Sequence, residues 1–207
     1  MDIHVVDYSM GNLRSVANAL EAVGASVRIS ADPEELERAD AIVLPGVGAF
    51  ADGMRNLRER GFVEPLNHEV RKRRKPLLGL CLGMQLLATR GSEHGDAEGL
   101  DLIPATVVRI ETNDVRVPHV GWNDVHFTRT DGLYNGLGAA QDFYFAHSYV
   151  VLPEDPSVIS GICSYGEDVV ASIERENVCG TQFHPEKSQK AGLAVLRNFL
   201  TLCSNTV

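Results

Sequence analysis

The constraint that most limits the fold of this chain is a strict alternation of short apolar runs with helical patterns through its first 80 residues. Ile3 to Val6 is an apolar, valine-containing run that leads into the turn-forming residues Asp7-Tyr8-Ser9-Met10-Gly11-Asn12. Leu13, Val16, Ala17, Leu20 and Val23 then fall on one helical face that Gly24 stops. Val27 to Ile29 opens a second unit, in which Asp32-Pro33-Glu34-Glu35 marks a helix start, because proline fits the first turn and acids suit the dipole. Ala41 to Leu44 is a third strand, ended by Pro45-Gly46-Val47-Gly48 and followed by a helical stretch through about residue 73. Leu77-Leu78-Gly79-Leu80 is continuously apolar, as a parallel strand covered on both faces should be, and Leu82 to Thr89 has a helix pattern.

Beyond residue 100 the character changes. Thr106 to Ile110, Asp124 to Phe127, Phe143 to Phe145, Tyr149 to Leu152, Val158 to Cys163 and Val169 to Ile173 are short β-prone runs punctuated by Gly, Pro, Asn and Asp. A final apolar helix is expected over Gly192 to Cys203. There is no repeat and no linker-like stretch, so one domain over residues 1–207 is expected. The predicted class is α/β: a mostly parallel central sheet flanked by helices, with an antiparallel or mixed β portion in the C-terminal half.

Charge and cysteine content exclude several functions. With 19 basic and 28 acidic side chains the net charge is −9, which opposes binding to nucleic acid or to an anionic membrane surface. No apolar run approaches the roughly 20 residues of a membrane helix, and the start MDIHVVDY has no basic n-region, so a soluble, cytoplasmic protein is expected. Cys81, Cys163, Cys179 and Cys203 are too scattered for a disulfide framework, and no CxxC pair points to zinc. No metal and no cofactor is expected. Buried, inert thiols are the default for all four cysteines.

Cys81 departs from that default by position. It stands in Leu80-Cys81-Leu82-Gly83-Met84-Gln85, directly after an apolar strand and directly before a helix, with Gly79 and Gly83 on either side. A sharp strand-to-helix turn thrusts its side chain out at the carboxyl end of the sheet, and a helix N-terminus behind the sulfur favours the thiolate. A buried strand thiol is the competing reading, and a partner base separates the two. Gln182-Phe183-His184-Pro185-Glu186 supplies one, following the β-prone stretch Val178 to Thr181. His184 can take the thiol proton and later deliver it to a leaving amine, while Glu186 fixes its tautomer. Acyl transfer also needs oxyanion donors. The Leu82 backbone N–H is one, and the glycine-flanked peptides of Gly46, Val47 and Gly48 at the end of the preceding strand are the natural source of the other. As a phosphate loop that segment lacks both GxGxxG spacing and a GK[ST].

The set Gly79-Leu80-Cys81-Leu82-Gly83-Met84-Gln85 with His184-Pro185-Glu186 resembles the class I, triad-type glutamine amidotransferases. Asp7-Tyr8-Ser9-Met10-Gly11-Asn12-Leu13, Leu44-Pro45-Gly46-Val47-Gly48-Ala49-Phe50, Pro118-His119-Val120-Gly121-Trp122-Asn123, Tyr144-Phe145-Ala146-His147-Ser148-Tyr149 and the HPEKS string narrow the resemblance. They are similar to the glutaminase subunits of imidazole glycerol phosphate synthase, end to end. Ser9, Leu80 and Val120 depart mildly from that pattern, which leaves a paralogous glutaminase feeding an amino-sugar or nucleotide synthase as the alternative.

The resemblance implies a catalytic Cys81, His184 and Glu186 and a glutamine site of Gly46, Gln85 and the His147-Ser148-Tyr149 backbone. It further implies a contact surface of Asn12, Trp122, Tyr144 and Lys187 for a (β/α)8-barrel cyclase that receives ammonia in a heterodimer, and low activity until that synthase is occupied. The one dense charge run, Arg71-Lys72-Arg73-Arg74-Lys75, precedes Pro76 and reads as solvated cations at a helix end.

Overall fold

A computed structural model describes residues 1–93 and 95–204. The four apolar runs of the first 80 residues form β1 (Asp2–Val6), β2 (Ser26–Ser30), β3 (Ala41–Gly46) and β4 (Leu77–Cys81). All pair in parallel, in the order β2-β1-β3-β4. Helices α1 (Leu13–Ala22) and α2 (Phe50–Glu59) lie in the crossovers. β3 and β4 are buried along their whole length, and strand alternation divides their side chains between two cores. Ile42, Leu44 and Leu77 meet α2 through Phe50, Met54 and Leu57. Ala41, Val43, Leu78 and Leu80 face the opposite layer, where α1 contributes Val16 and Leu20.

The C-terminal half extends this same sheet. β8 (His119–Phe127), β9 (Ala140–His147), β11 (Ile159–Tyr165), β12 (Glu167–Arg175) and β13 (Val178–Thr181) complete a nine-stranded sheet of order β2-β1-β3-β4-β13-β12-β11-β8-β9. β13 joins β4 in parallel, and each later pairing is antiparallel. The mixed portion is thus a continuation of the central sheet. A separate four-stranded sheet, β10-β7-β5-β6, is built from β5 (Ala88–Gly91), β6 (Ala97–Glu98), β7 (Ile103–Arg109) and β10 (Tyr149–Pro153), and its Ala105, Val107 and Val151 join the α2 core. The last helix, α5 (Gln189–Ser204), covers the other face through Val195, Leu196, Phe199 and Cys203.

Three helical expectations are corrected. The stretch 50–73 divides into α2, α3 (Val63–Asn67) and a π turn over His68–Lys72. The segment after Asp32 is a 3-10 turn, Pro33–Arg38, which Asp32 caps by accepting from the Glu34 N–H at 3.0 Å. The helix expected over Leu82 to Thr89 stops early: α4 is Leu82–Leu86 and Ala88 begins β5. The reason is competition for carbonyls. The Leu86, Leu87 and Ala88 carbonyls accept from the N–H groups of Leu100, Leu102 and Asp101, so the chain is drawn into the second sheet.

The basic run is mostly paired within the protein. Arg71 meets Asp101, Arg73 meets Glu37, Arg74 meets Glu176 and Lys75 meets Glu69 at 2.7 Å. The first three pairs tie the end of the π turn to neighbouring segments, at the end of the sheet opposite the carboxyl ends of β3 and β4. Among the described residues no helix is long and apolar enough to cross a membrane.

Candidate active site

The register of the sheet brings the sequence-predicted groups together. Gly46 at the end of β3 lies opposite Cys81 at the end of β4, and Thr181 at the end of β13 lies opposite Leu80. Cys81 is therefore flanked by the glycine loop on one side and by the His184 segment on the other. Its backbone has φ 53° and ψ −109°, a conformation L-residues avoid at a cost of about 1–3 kcal/mol. The surrounding packing enforces it. A Cβ on Gly79 would sit 2.7 Å from the Gly83 carbonyl oxygen, and one on Gly83 would collide with the Leu44 carbonyl of β3. Gly46 is equally confined, between the Tyr8 hydroxyl and Leu82.

Around the Cys81 sulfur stand three groups. The Gln182 amide Nε2 donates to Sγ at 3.7 Å, Sγ lies 3.9 Å from the Ala146 carbonyl oxygen, and the His184 ring lines the same cavity. His184 Nδ1 contacts Glu186 Oε1 at 2.9 Å, with the two side chains only 6% and 2% exposed. Pro185 starts a 3-10 turn, Pro185–Lys187, which folds Glu186 back beneath the imidazole. The loop is pinned from β9: the His184 N–H donates to the Tyr144 carbonyl at 2.9 Å, and the Ser188 hydroxyl bridges the Tyr144 N–H and the His184 carbonyl.

Burial acts to lower the His184 pKa, but the hydrogen bonds and charges of Cys81 and Glu186 outweigh it and lift it to about 9. At neutral pH the ring is then an imidazolium, the partner that a thiolate requires. The same shift couples to stability. A group that holds its proton more tightly when folded stabilises the protein fully below the unfolded value of 6.5, and that contribution is lost as pH rises through about 9. The thermal midpoint of the parent should therefore fall more steeply across that window than that of His184→Gln, and equal falls would contradict the pairing.

Val47, Gly48, Leu82, Gln85, His147, Ser148, Tyr149, His184 and Lys187 line one cavity of about 480 Å³ with Cys81, within the size range of small-molecule sites. Val47 is 45% exposed at its rim. The Gln85 side chain is partly committed: its Nε2 donates to the Tyr149 carbonyl at 2.9 Å and to Gln182 Oε1 at 3.0 Å, which leaves its own Oε1 uncommitted by these bonds. His147 is committed as well, with Nδ1 on the Tyr149 carbonyl and Nε2 3.0 Å from His119 Nδ1. Burial pushes both rings down to about 4, so they are neutral at physiological pH.

Trp122, Tyr144 and Lys187 form a cluster at the mouth. The indole is 49% exposed and lies edge-on to Tyr144, 6.2 Å between centroids, and Lys187 Nζ stands 5.5 Å from the Tyr144 ring centre. Asn12 occupies the N-cap position of α1 and does not line the cavity.

Two residues at the site carried no assignment from sequence reasoning. Glu93 lines the cavity and accepts from the Phe50 N–H at 2.8 Å, capping α2 from a distant loop, and no periodic or local motif announces it. Gln182 is fully buried against the sulfur. The only sequence signal for it was membership of the His184 string. Among the described residues no group of His, Cys, Asp or Glu is arranged to hold a metal ion.

Comparison with known proteins shows the family. The family model of glutamine amidotransferase class-I matches residues 4–203. The imidazole glycerol phosphate synthase subunit HisH of Moorella thermoacetica is 48% identical over 197 residues, covering 95% of this chain and 93% of that protein. The HisH subunit of Aquifex aeolicus is also 48% identical, over 94% of each chain. Among solved structures, a glutamine amidotransferase superposes with a TM-score of 0.77 at 22% identity, covering 98% of each chain, and PurLQS from Thermotoga maritima superposes with 0.75 at 18%, covering 99% of this chain and 98% of its own. The chain belongs to the class-I glutamine amidotransferase family.

Proposed function

We propose that this chain is the glutaminase subunit of an imidazole glycerol phosphate synthase, formed of one amidotransferase domain over residues 1–207 and acting in histidine biosynthesis in the cytoplasm. The observation that carries the catalytic part is the strained elbow at Cys81 facing a buried His184–Glu186 pair across one cavity. The near full-length likeness to HisH subunits supports the pathway.

With His184 held as imidazolium, Cys81 acts as its paired thiolate, and the sulfur attacks the side-chain amide carbon of glutamine. The oxygen of the tetrahedral intermediate meets the Leu82 N–H and a peptide N–H of the Val47–Gly48 segment. His184 gives its proton to the departing ammonia, and water then cleaves the glutamyl thioester to glutamate and the free thiol. Glu186 holds the imidazole tautomer and balances its charge. Gly46 and the Ser148 and Tyr149 backbone, next to the committed His147, shape the glutamine site, and Gln85 presents Oε1 to it. Glu93 is the carboxylate placed to meet the substrate's α-ammonium group, a charge-assisted contact.

Ammonia is most useful if delivered before it is protonated in water, which favours a partner seated at the cavity mouth. The exposed Val120 and Trp122, with Tyr144 and Lys187 beside them, and Asn12 at the start of α1, make the surface for a (β/α)8-barrel cyclase. A half-exposed indole at an interface centre is a typical hot spot, worth about 2 kcal/mol or more on truncation. Trp122→Ala should leave the melting curve of the isolated chain unchanged and weaken cyclase binding about thirtyfold or more in a titration, and an unchanged affinity would remove Trp122 from the interface. The pathway is tested by reconstitution with such a cyclase and its nucleotide substrate. Glutamine should support imidazole glycerol phosphate formation, and glutamate release uncoupled from any barrel partner would count against the assignment.

A further inference from the structure

The Cys81 sulfur has a neighbour that the triad does not use. Gln182 is fully buried, and its Nε2 lies 3.7 Å from Sγ, a hydrogen-bond distance for sulfur. The direction of its amide is settled by a chain of contacts. The Tyr149 carbonyl can only accept, so the Gln85 atom 2.9 Å from it is the amino group. That same Nε2 lies 3.0 Å from the Gln182 amide, which must therefore present its oxygen to Gln85. Gln182 consequently turns its amino group to the sulfur. Four elements hold this relay: the start of β10 supplies the Tyr149 carbonyl, α4 supplies Gln85, the segment after β13 supplies Gln182 and the end of β4 supplies Cys81.

We propose that Gln182 is a further catalytic residue of the glutaminase reaction, whose amide N–H donates to the Cys81 sulfur and stabilises it as thiolate, with Gln85 fixing the direction of that donor. The inference rests on Cys81 being the nucleophile. The proton of the ion pair stays on His184; Gln182 gives up no proton and supplies a permanent dipole where the negative charge gathers. Such a donor costs no reorganisation when charge develops, because both amides are already locked. A second consequence is directional. The Ala146 carbonyl, 3.9 Å away on another side, suits the neutral S–H, whereas the Gln182 amide suits the charged sulfur, so ionisation favours the Gln182 side.

The charged and titratable groups around the sulfur are His184 with Glu186, the neutral His147 from β9, Tyr8 from the turn after β1, and Glu93 and Lys187 in the cavity wall. None of these changes in the test. The full-length chain is alkylated with iodoacetamide over a range of pH and the Cys81 peptide is quantified by mass spectrometry. In Gln182→Met, which keeps the volume and loses the donor, the pH of half-maximal alkylation should rise by about one unit, a tenfold loss of reactive sulfur at fixed pH. Gln182→Glu, which turns an acceptor toward the sulfur, should move it further. Gln85→Met, which frees the Gln182 amide to rotate, should move it in the same direction by less. With the cyclase bound, Gln182→Met should lose about tenfold in kcat for glutamine with KM little changed.

A purely structural Gln182 would lower stability and leave the alkylation profile in place. Profiles for Gln182→Met and Gln182→Glu that superpose on the parent overturn the proposal, and if those chains fail to fold, a superposing Gln85→Met profile does so. A parent chain whose Cys81 is not alkylated at any pH instead overturns the nucleophile reading beneath it.

Discussion

Cys81→Ala should reduce glutamate release by the cyclase-bound protein about 10⁴-fold or more while leaving synthesis from added ammonia intact. The size follows from what is deleted. Alanine retains the Cβ, and with it the packing of the elbow, but removes the atom proposed to form the bond to substrate carbon. The Leu82 N–H and the cavity walls remain, so binding and oxyanion contacts survive and only covalent catalysis is lost. The ammonia arm of the experiment separates lost chemistry from lost assembly. Glutamate release within tenfold of the parent would show that another group attacks the amide.

The largest effect on stability is expected at Gly83, two residues further along. A methyl group there would collide with the Leu44 carbonyl, which belongs to a fully buried strand paired with β4. Neither partner can yield cheaply: moving α4 exposes Leu82, Met84 and Leu86, and moving β3 breaks its ladder to β4. Gly83→Ala should therefore cost more than about 4 kcal/mol, a large part of the 5–15 kcal/mol that holds a domain together. Gly24→Ala is the control. That glycine has φ +99° and open space around it, so only the backbone penalty of about 1 kcal/mol applies. Urea denaturation of both variants checks this. A Gly83→Ala chain that unfolds at the same midpoint as Gly24→Ala would mean that the elbow is not held by close packing.

The parts of this molecule legible in the sequence are those set by local pattern. β1 to β4 announce themselves through apolar runs bounded by turn residues, and a strand-to-helix cysteine between glycines shows its exposure to chemistry before any coordinate is known. His184 and Glu186 are two residues apart, so their pairing is a property of one turn. What escaped reading depends on contacts distant in sequence. α4 ends at Leu86 because the segment around residues 100–103 takes its carbonyls, a competition that the helical pattern of Leu82 to Thr89 cannot reveal. β13 enters the sheet between β4 and β12, which extends the parallel region with a strand from the far end of the chain. The donor role of Gln182 follows from an amide direction set through Gln85 by the Tyr149 carbonyl. Glu93 reaches the cavity from a loop whose sequence has no period at all.

In the proposed reaction the Cys81 sulfur carries the glutamyl group between ammonia release and hydrolysis. This step is tested most directly by acid-quenching the cyclase-bound protein during turnover of isotopically labelled glutamine, followed by digestion and mass spectrometry of the cysteine peptides. Cys81 should carry the label as a glutamyl thioester whose amount rises to a steady level and decays when glutamine is exhausted. Cys163, Cys179 and Cys203, all buried, with burial pushing their thiols well above the ordinary range, should carry none. Steady hydrolysis with no label on Cys81, or label on another residue that turns over at the rate of glutamate release, would contradict the account.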